Sequence, residues 1–200
     1  DLIKFLKKGG AKIFLLENRI IKIYGVKKLT GHSHEVIGDR IEAFSYLCTA
    51  AITKGKIKVD KINPKYLKAE LKVLKNIGCN IKVDKSSIQL ISKKKLKCIK
   101  VKTAPFPGFA TDCMPMLMAV LTKSDGSSFI KETIFSNRYM SAPELIRMGA
   151  KINIKGSTAK IIGIDKLNGA DCISSDLRST FAIILGAMAA DGSSCISRIY

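Results

Sequence analysis

Phe181-Ala182-Ile183-Ile184-Leu185-Gly186-Ala187-Met188 has no polar face. Wound as a helix it presents apolar side chains in every direction, and such a helix is stable only inside protein. The predicted strands behave differently. Ile57-Lys58-Val59-Asp60 and Ile81-Lys82-Val83-Asp84 alternate apolar with charged residues, so their sheets have one wet face. Helices inside and half-exposed sheets outside make an inside-out arrangement.

The order of elements repeats. A helix over 40–52 follows Gly38 and Asp39, and a strand over 56–62 follows Gly55. Pro64 opens a second helix that Gly78 ends, and extended segments cover 80–83, 87–91 and 98–101. The same succession restarts at Asp112, with a helix over 114–121, a turn at Asp125-Gly126 and a strand over 127–135. Pro143 opens the matching second helix, ended by Gly149, and strands cover 151–154, 159–164 and 171–174. A third copy begins at Asp176 with a helix over 177–190 and a strand over 194–200. A period of about 65 to 75 residues marks a pseudo-symmetric array. Three slots carry it: Gly10, Gly78 and Gly149; Gly55, Gly126 and Gly192; Asp39, Asp112 and Asp176. Ahead of the array, 1–38 reads as a helix that Gly9-Gly10 ends, a hairpin of 11–16 and 19–26, and an extended exit at 35–37. The expected fold is α/β (α+β): an inside-out barrel of pseudo-threefold helix–strand repeats, jointed at Gly38 and Asp39.

Entering the second copy is Thr103-Ala104-Pro105-Phe106-Pro107-Gly108-Phe109-Ala110-Thr111-Asp112-Cys113-Met114. Pro105 and Pro107 each fix φ near about −65° and remove a donor, so the stretch is a stiff loop. Thr111 or Asp112 is expected to cap the helix that follows. Two phenyl rings, read as exposed, precede a carboxylate on a rigid shoulder. Asp112 is the first functional candidate.

The 200 residues are 46% hydrophobic, enough for a core and too apolar for disorder. The apolar run 181–190 is far shorter than the ~20 residues that span a bilayer, so no membrane partner is expected. Cys48, Cys79, Cys98, Cys113, Cys172 and Cys195 form no C-x-x-C pair, and only His32 and His34 could join them. That pattern excludes zinc spacing and points to reduced thiols in a cytoplasmic protein. A formal charge of +19 invites nucleic acid as a partner. Against it, the lysines spread from Lys4 to Lys166, Trp is absent, and no aromatic residues interleave a basic patch. A positive field that draws a small polyanionic substrate remains. The chain opens at Asp1 and stops at Tyr200 just after a strand-like run, which reads as a piece of a longer protein.

Three runs act together: 103–112 above, Glu132-Thr133-Ile134-Phe135-Ser136-Asn137-Arg138-Tyr139-Met140, and Ser175-Asp176-Leu177-Arg178-Ser179. Asp39-Arg40-Ile41-Glu42 and Ala142-Pro143-Glu144-Leu145-Ile146-Arg147-Met148-Gly149-Ala150-Lys151 flank them. In this order they resemble the UDP-N-acetylglucosamine enolpyruvyl transferase family, the 1-carboxyvinyltransferases that open peptidoglycan synthesis in the bacterial cell wall. The resemblance implies transfer of the enolpyruvyl group of phosphoenolpyruvate to the 3-hydroxyl of UDP-N-acetylglucosamine, releasing phosphate. It implies those two substrates as partners, no cofactor and no metal. It further implies two three-repeat domains with the active site in their cleft. Residues 1–38 would end the first domain, and 39–200 would form most of the second, its last repeat incomplete. The family's N-terminal Lys-Asn pair, its reactive-cysteine loop, several phosphate-binding arginines and an Asp-Arg-Gly-Tyr run are not among these residues. Turnover is therefore expected of the full-length parent and not of the 200 residues alone. Three departures stand out: Ala110 where a proline is usual, Ser136 where glutamate is common, and Ser179-Thr180-Phe181 where smaller residues are usual.

By this resemblance Asp112 is the base for the sugar 3-hydroxyl, since a neutral hydroxyl is a poor nucleophile. The repeat offers a plainer role, because Asp39 and Asp176 share the slot and aspartate caps helices. The Pro-Phe-Pro-Gly-Phe loop, found in neither other copy, favours function. Ile134 is implied to pack on the uracil, though by itself it reads as a strand residue. Arg138 and Arg178 are implied to bind anionic groups or order loops in the cleft; the alternative is a solvated or ion-paired arginine. Asp176 pairs with a cleft cation or caps its helix, and both stand. Two rival functions remain. One is the sister 3-phosphoshikimate 1-carboxyvinyltransferase, which lacks the Phe-Pro-Gly-Phe-x-Thr-Asp and Asn-Arg-Tyr-Met contexts. The other is a catalytically inactive basic binding module on the same scaffold.

Overall fold

The computed structural model describes residues 1–199. Two compact units divide the chain, Asp1–Gly38 and Asp39–Tyr200. The first contains helix α1 (Leu2–Lys8) and an antiparallel hairpin of Lys12–Leu15 and Ile21–Tyr24, with Ile13 opposite Ile23. Ile13 is buried while Leu2, Phe14, Leu15 and Ile23 are exposed. So short a stretch has too little chain to cover its own apolar residues. The extended exit at 35–37 forms no strand.

The second unit holds α2 (Arg40–Ile52), α3 (Lys68–Asn76), α4 (Met114–Leu121), α5 (Ala142–Arg147) and α6 (Leu177–Met188). Helices α2, α4 and α6 pack on one another and supply the centre of the core. All residues of α4 are buried. The stretch 181–188, expected to be surrounded, is enclosed on one side only. Leu177 and Met188 are exposed and Phe181 and Ile184 part-covered, so one stripe of the helix is left partly open.

The two largest sheets stand outside the helices, beside shorter strand pairs. In one, Ser87–Ile91 lies between Lys56–Asp60 and Asn80–Val83, antiparallel to both. In the other, Thr158–Ile162 lies in the same way between Ser127–Lys131 and Lys151–Lys155. This matching topology is the repeat made visible. Parallel pairs join consecutive copies: Lys100–Lys102 with Ser127–Lys131, and Asp171–Ile173 with Cys195–Ser197. The sheets stay separate, and no closed strand barrel forms among the described residues. Gly10, Gly78 and Gly149 have φ of 97°, 104° and 93°. The shared glycine slot is a left-handed backbone turn between helix and strand, which a Cβ would strain.

Several strands are shorter than expected, 19–26 being realised as Ile21–Tyr24 and 56–62 as Lys56–Asp60. The one over 127–135 stops at Lys131 because Glu132 draws the following backbone into a turn, described below. The one over 194–200 is realised as Cys195–Ser197, and Tyr200 lies outside the described residues. Among the described residues, no helix is long and apolar enough to cross a membrane.

Candidate active site

The loop before α4 closes on itself. Ala104 N–H donates to the Phe109 carbonyl at 2.9 Å and Gly108 N–H to the Pro105 carbonyl at 2.8 Å. A Cβ on Gly108 would lie 2.6 Å from the Cβ of Ala104, so only glycine fits this closure. The Phe106-Pro107 peptide is cis. The two phenyl rings differ. Phe106 is exposed, with the Arg40 guanidinium 5.7 Å from its centroid. Phe109, read as exposed, is buried edge-on to Phe44 of α2 at 5.9 Å. The loop's exit is tied to the core by Glu70 of α3, a buried carboxylate. It accepts the Ala110 N–H at 3.0 Å and lies 3.5 Å from Arg40.

Asp112 caps nothing, and neither does Thr111. A 3₁₀ turn, Thr111–Cys113, leads into α4, and the Cys113 N–H finds the Ala110 carbonyl at 3.0 Å. The backbone thus meets part of its own demand for acceptors at the helix start. Asp39 and Asp176 do cap. Asp39 accepts from Ile41 N–H at 2.7 Å and Glu42 N–H at 3.3 Å; Asp176 accepts from Arg178 N–H at 2.9 Å and Ser179 N–H at 3.0 Å.

The Asp112 carboxylate lies between two guanidinium groups. Arg138 donates to Oδ1 at 2.7 Å and Arg178 to Oδ2 at 3.2 Å. The Asp112 side chain is 35% exposed, against 17% for Arg138 and 23% for Arg178, so the arginines are sheltered and the carboxylate faces outward. Each oxygen accepts one guanidinium bond and keeps acceptor capacity for another donor. Arg138 also donates from Nε to the Thr111 hydroxyl at 3.2 Å and lies 4.9 Å from the Phe135 ring centroid. With Ser136 in place of a neighbouring glutamate, Arg138 makes its ion pair with Asp112.

Behind this pair lies Glu132, the first residue of the 132–140 run, with no role assigned from the sequence. It is 3% exposed. Its Oε1 accepts from the Thr103 hydroxyl (2.9 Å), Ile134 N–H (2.7 Å) and Phe135 N–H (3.2 Å), and Oε2 from the Thr111 hydroxyl (2.9 Å). Burial pushes the Glu132 carboxyl up, but these four donors outweigh it and hold it below its ordinary range. Its signal was the strand period: Ser128, Ile130 and Glu132 all point inward. Ile134 is turned outward, with its N–H taken by Glu132.

Asp176 lines a cavity of about 380 Å³ together with Phe135, Ser136, Asn137, Arg138 and Met140. Burial raises its carboxyl, yet hydrogen bonds from Ser179 and Arg178 and the charge of Arg138 bring it below its ordinary value. It caps α6 and forms no ion pair among the described residues. Cys113 is buried, and burial first, then the charge of Glu70, push its thiol well above its ordinary range. Among the described residues no three His, Cys, Asp or Glu side chains converge so as to hold a metal ion.

The family described as EPSP synthase (3-phosphoshikimate 1-carboxyvinyltransferase) matches residues 1–200. The chain belongs to this family. Among sequence relatives, the UDP-N-acetylglucosamine 1-carboxyvinyltransferase of Pelagibacter ubique is 44% identical over 200 residues, covering 100% of this chain and 48% of that protein. The protein of the same name from Kosmotoga olearia is 43% identical over 196 residues, 98% of this chain and 47% of its own. The chain thus spans about half the length of the curated relatives it matches. Solved structures share the family's fold. The enolpyruvyl transferase NikO from Streptomyces tendae has a TM-score of 0.87 at 21% identity, over 99% of this chain and 48% of that one. The EPSP synthase of Acinetobacter baumannii has 0.75 at 20% identity, over 98% and 49%.

Proposed function

We propose that the full-length protein transfers the enolpyruvyl group of phosphoenolpyruvate to the 3-hydroxyl of UDP-N-acetylglucosamine, releasing phosphate, in the cytoplasm. Residues 1–38 then end one enolpyruvyl transferase domain and 39–200 form most of the other. The observation that carries this reading is Asp112: alone of the three aspartates in its slot, it is free of the helix and faces outward between two arginines.

Asp112 takes the proton of the 3-hydroxyl, and that oxygen attacks C2 of phosphoenolpyruvate while C3 gains a proton. Loss of phosphate from C2 and of a proton from C3 restores the double bond. Arg138 and Arg178 orient the Asp112 carboxylate and offer positive charge to the anionic groups of the substrates. Ile134 presents an apolar edge to the uracil, and Asp176 fixes the start of the helix that carries Arg178. No metal or cofactor takes a step, and neither nucleic acid nor membrane is a partner.

Names of relatives at 43–44% identity favour the UDP-sugar over a phosphorylated shikimate. The test is phosphate release by the purified full-length protein with phosphoenolpyruvate and each acceptor. Release with UDP-N-acetylglucosamine alone is expected, and release with the shikimate alone would overturn the reading.

A further inference from the structure

We infer that Glu132 is a positioning residue for this reaction, acting through Thr111 and Arg138 on the orientation of Asp112. The inference rests on the function just proposed.

The Thr111 hydroxyl has a single hydrogen, and at 2.9 Å from Glu132 Oε2 that hydrogen is given to the carboxylate. Its lone pairs then face Arg138, whose Nε donates to it at 3.2 Å. Arg138 in turn holds Asp112 Oδ1 at 2.7 Å. The relay runs one way, from Arg138 to Thr111 to Glu132, and only an acceptor at the Oε2 position sets its direction. The other oxygen meets three donors, from Thr103, Ile134 and Phe135. No acid other than this one bonds Thr111 among the described residues. Glu132 therefore ties together the loop at 103–111, the turn at 134–135 and the arginine on Asp112. The four donors favour its ionised form, as the relay requires.

Glutamine at 132 separates the branches. With three donors at one end, its carbonyl belongs at the Oε1 position, which leaves its NH₂ against Thr111. Thr111 must then accept from glutamine, and its own hydrogen loses the acceptor that fixed it, since Arg138 has only donors to offer. The Ile134 side keeps its acceptor while the Arg138 side loses its direction. A carboxylate that merely stabilises the fold predicts no such division.

The experiment uses the full-length protein carrying Glu132→Gln, Thr111→Val or Thr111→Ser, with kcat from phosphate release and the dissociation constant of UDP from calorimetry. Glu132→Gln and Thr111→Val should each lower kcat by about 10- to 100-fold, the scale of a small misplacement of reacting groups. UDP affinity should stay within about twofold, and Thr111→Ser, which restores the hydroxyl, should recover most of kcat. If Glu132→Gln fails to fold, the valine and serine pair carries the test alone. An active parent whose variants keep kcat within about twofold would overturn the inference, as would loss of UDP affinity with kcat intact. A parent that is inactive with the UDP-sugar would sink the proposed function and this inference with it.

Discussion

Asp39 and Asp112 begin equivalent helices in successive copies of one repeat, and they do different work. Asp39 holds the N–H groups of Ile41 and Glu42 and faces its own helix. Asp112 holds no backbone group and faces two arginines from later in the chain, Arg138 and Arg178. The difference lies in the approach. Asp39 precedes α2 in extended backbone, where a side chain can reach back over the first turn. Asp112 sits within a 3₁₀ turn that already supplies backbone acceptors, so its carboxylate is released. In the second copy the capping duty of the shared aspartate has been vacated, and the proposed function rests on that residue.

The comparison requires the three helices to be equal members of the core, and that is where the largest stability effects are expected. Leu47→Ala in α2, Leu117→Ala in α4 and Leu185→Ala in α6 remove side chains that are at most 2% exposed. Each should cost about 2–5 kcal/mol in denaturant unfolding of the full-length protein. A near-zero cost at one of them would show that the copies are not equivalent.

The next effect is smaller and tests the cap itself. Asp39→Ala should cost about 1 kcal/mol, whereas Asp39→Asn should be nearly silent because asparagine caps as well. Equal losses for alanine and asparagine would mean that charge, not capping, is what Asp39 supplies.

The smallest effect is a pH dependence. Glu132 and Asp176 are both held below their ordinary values of 4.5 and 3.8. Their stabilisation is fully present above those values and is lost as the pH falls through the lower folded-state values. The thermal midpoint should fall with acid below about pH 4.5, less steeply for Glu132→Gln than for the parent. Equal slopes would show that Glu132 binds its donors no better folded than unfolded.

Much of the array could be read from periodicity. The helix Arg40–Ile52 and the strands Asn80–Val83 and Ser87–Ile91 fall where apolar spacing and glycine punctuation put them. The exposed side of α6 was not legible, because an apolar face looks the same whether or not a partner covers it. In the site, the runs and their arginines could be read, but not the buried carboxylates behind them. A glutamate letter does not say which way it points. Glu70 shares the stripe of Leu67, Leu71 and Leu74, and Glu132 continues the inward period of Ser128 and Ile130. A charge in step with apolar neighbours was the available signal in both cases. The release of Asp112 from capping could not be read, since it depends on a turn whose sequence is compatible with either outcome.

Asp112 is proposed to act on substrate, whereas its counterpart Asp39 serves its helix. The direct measurement is turnover of the full-length protein with UDP-N-acetylglucosamine and phosphoenolpyruvate, for Asp112→Asn beside Asp39→Asn. Asparagine keeps the size of aspartate and removes the basic oxygen, at the cost of one acceptor toward Arg138 or Arg178. Asp112→Asn should lower turnover by about 100- to 10,000-fold, with Asp39→Asn within about twofold of the parent. Turnover of Asp112→Asn close to that of Asp39→Asn would contradict the proposal.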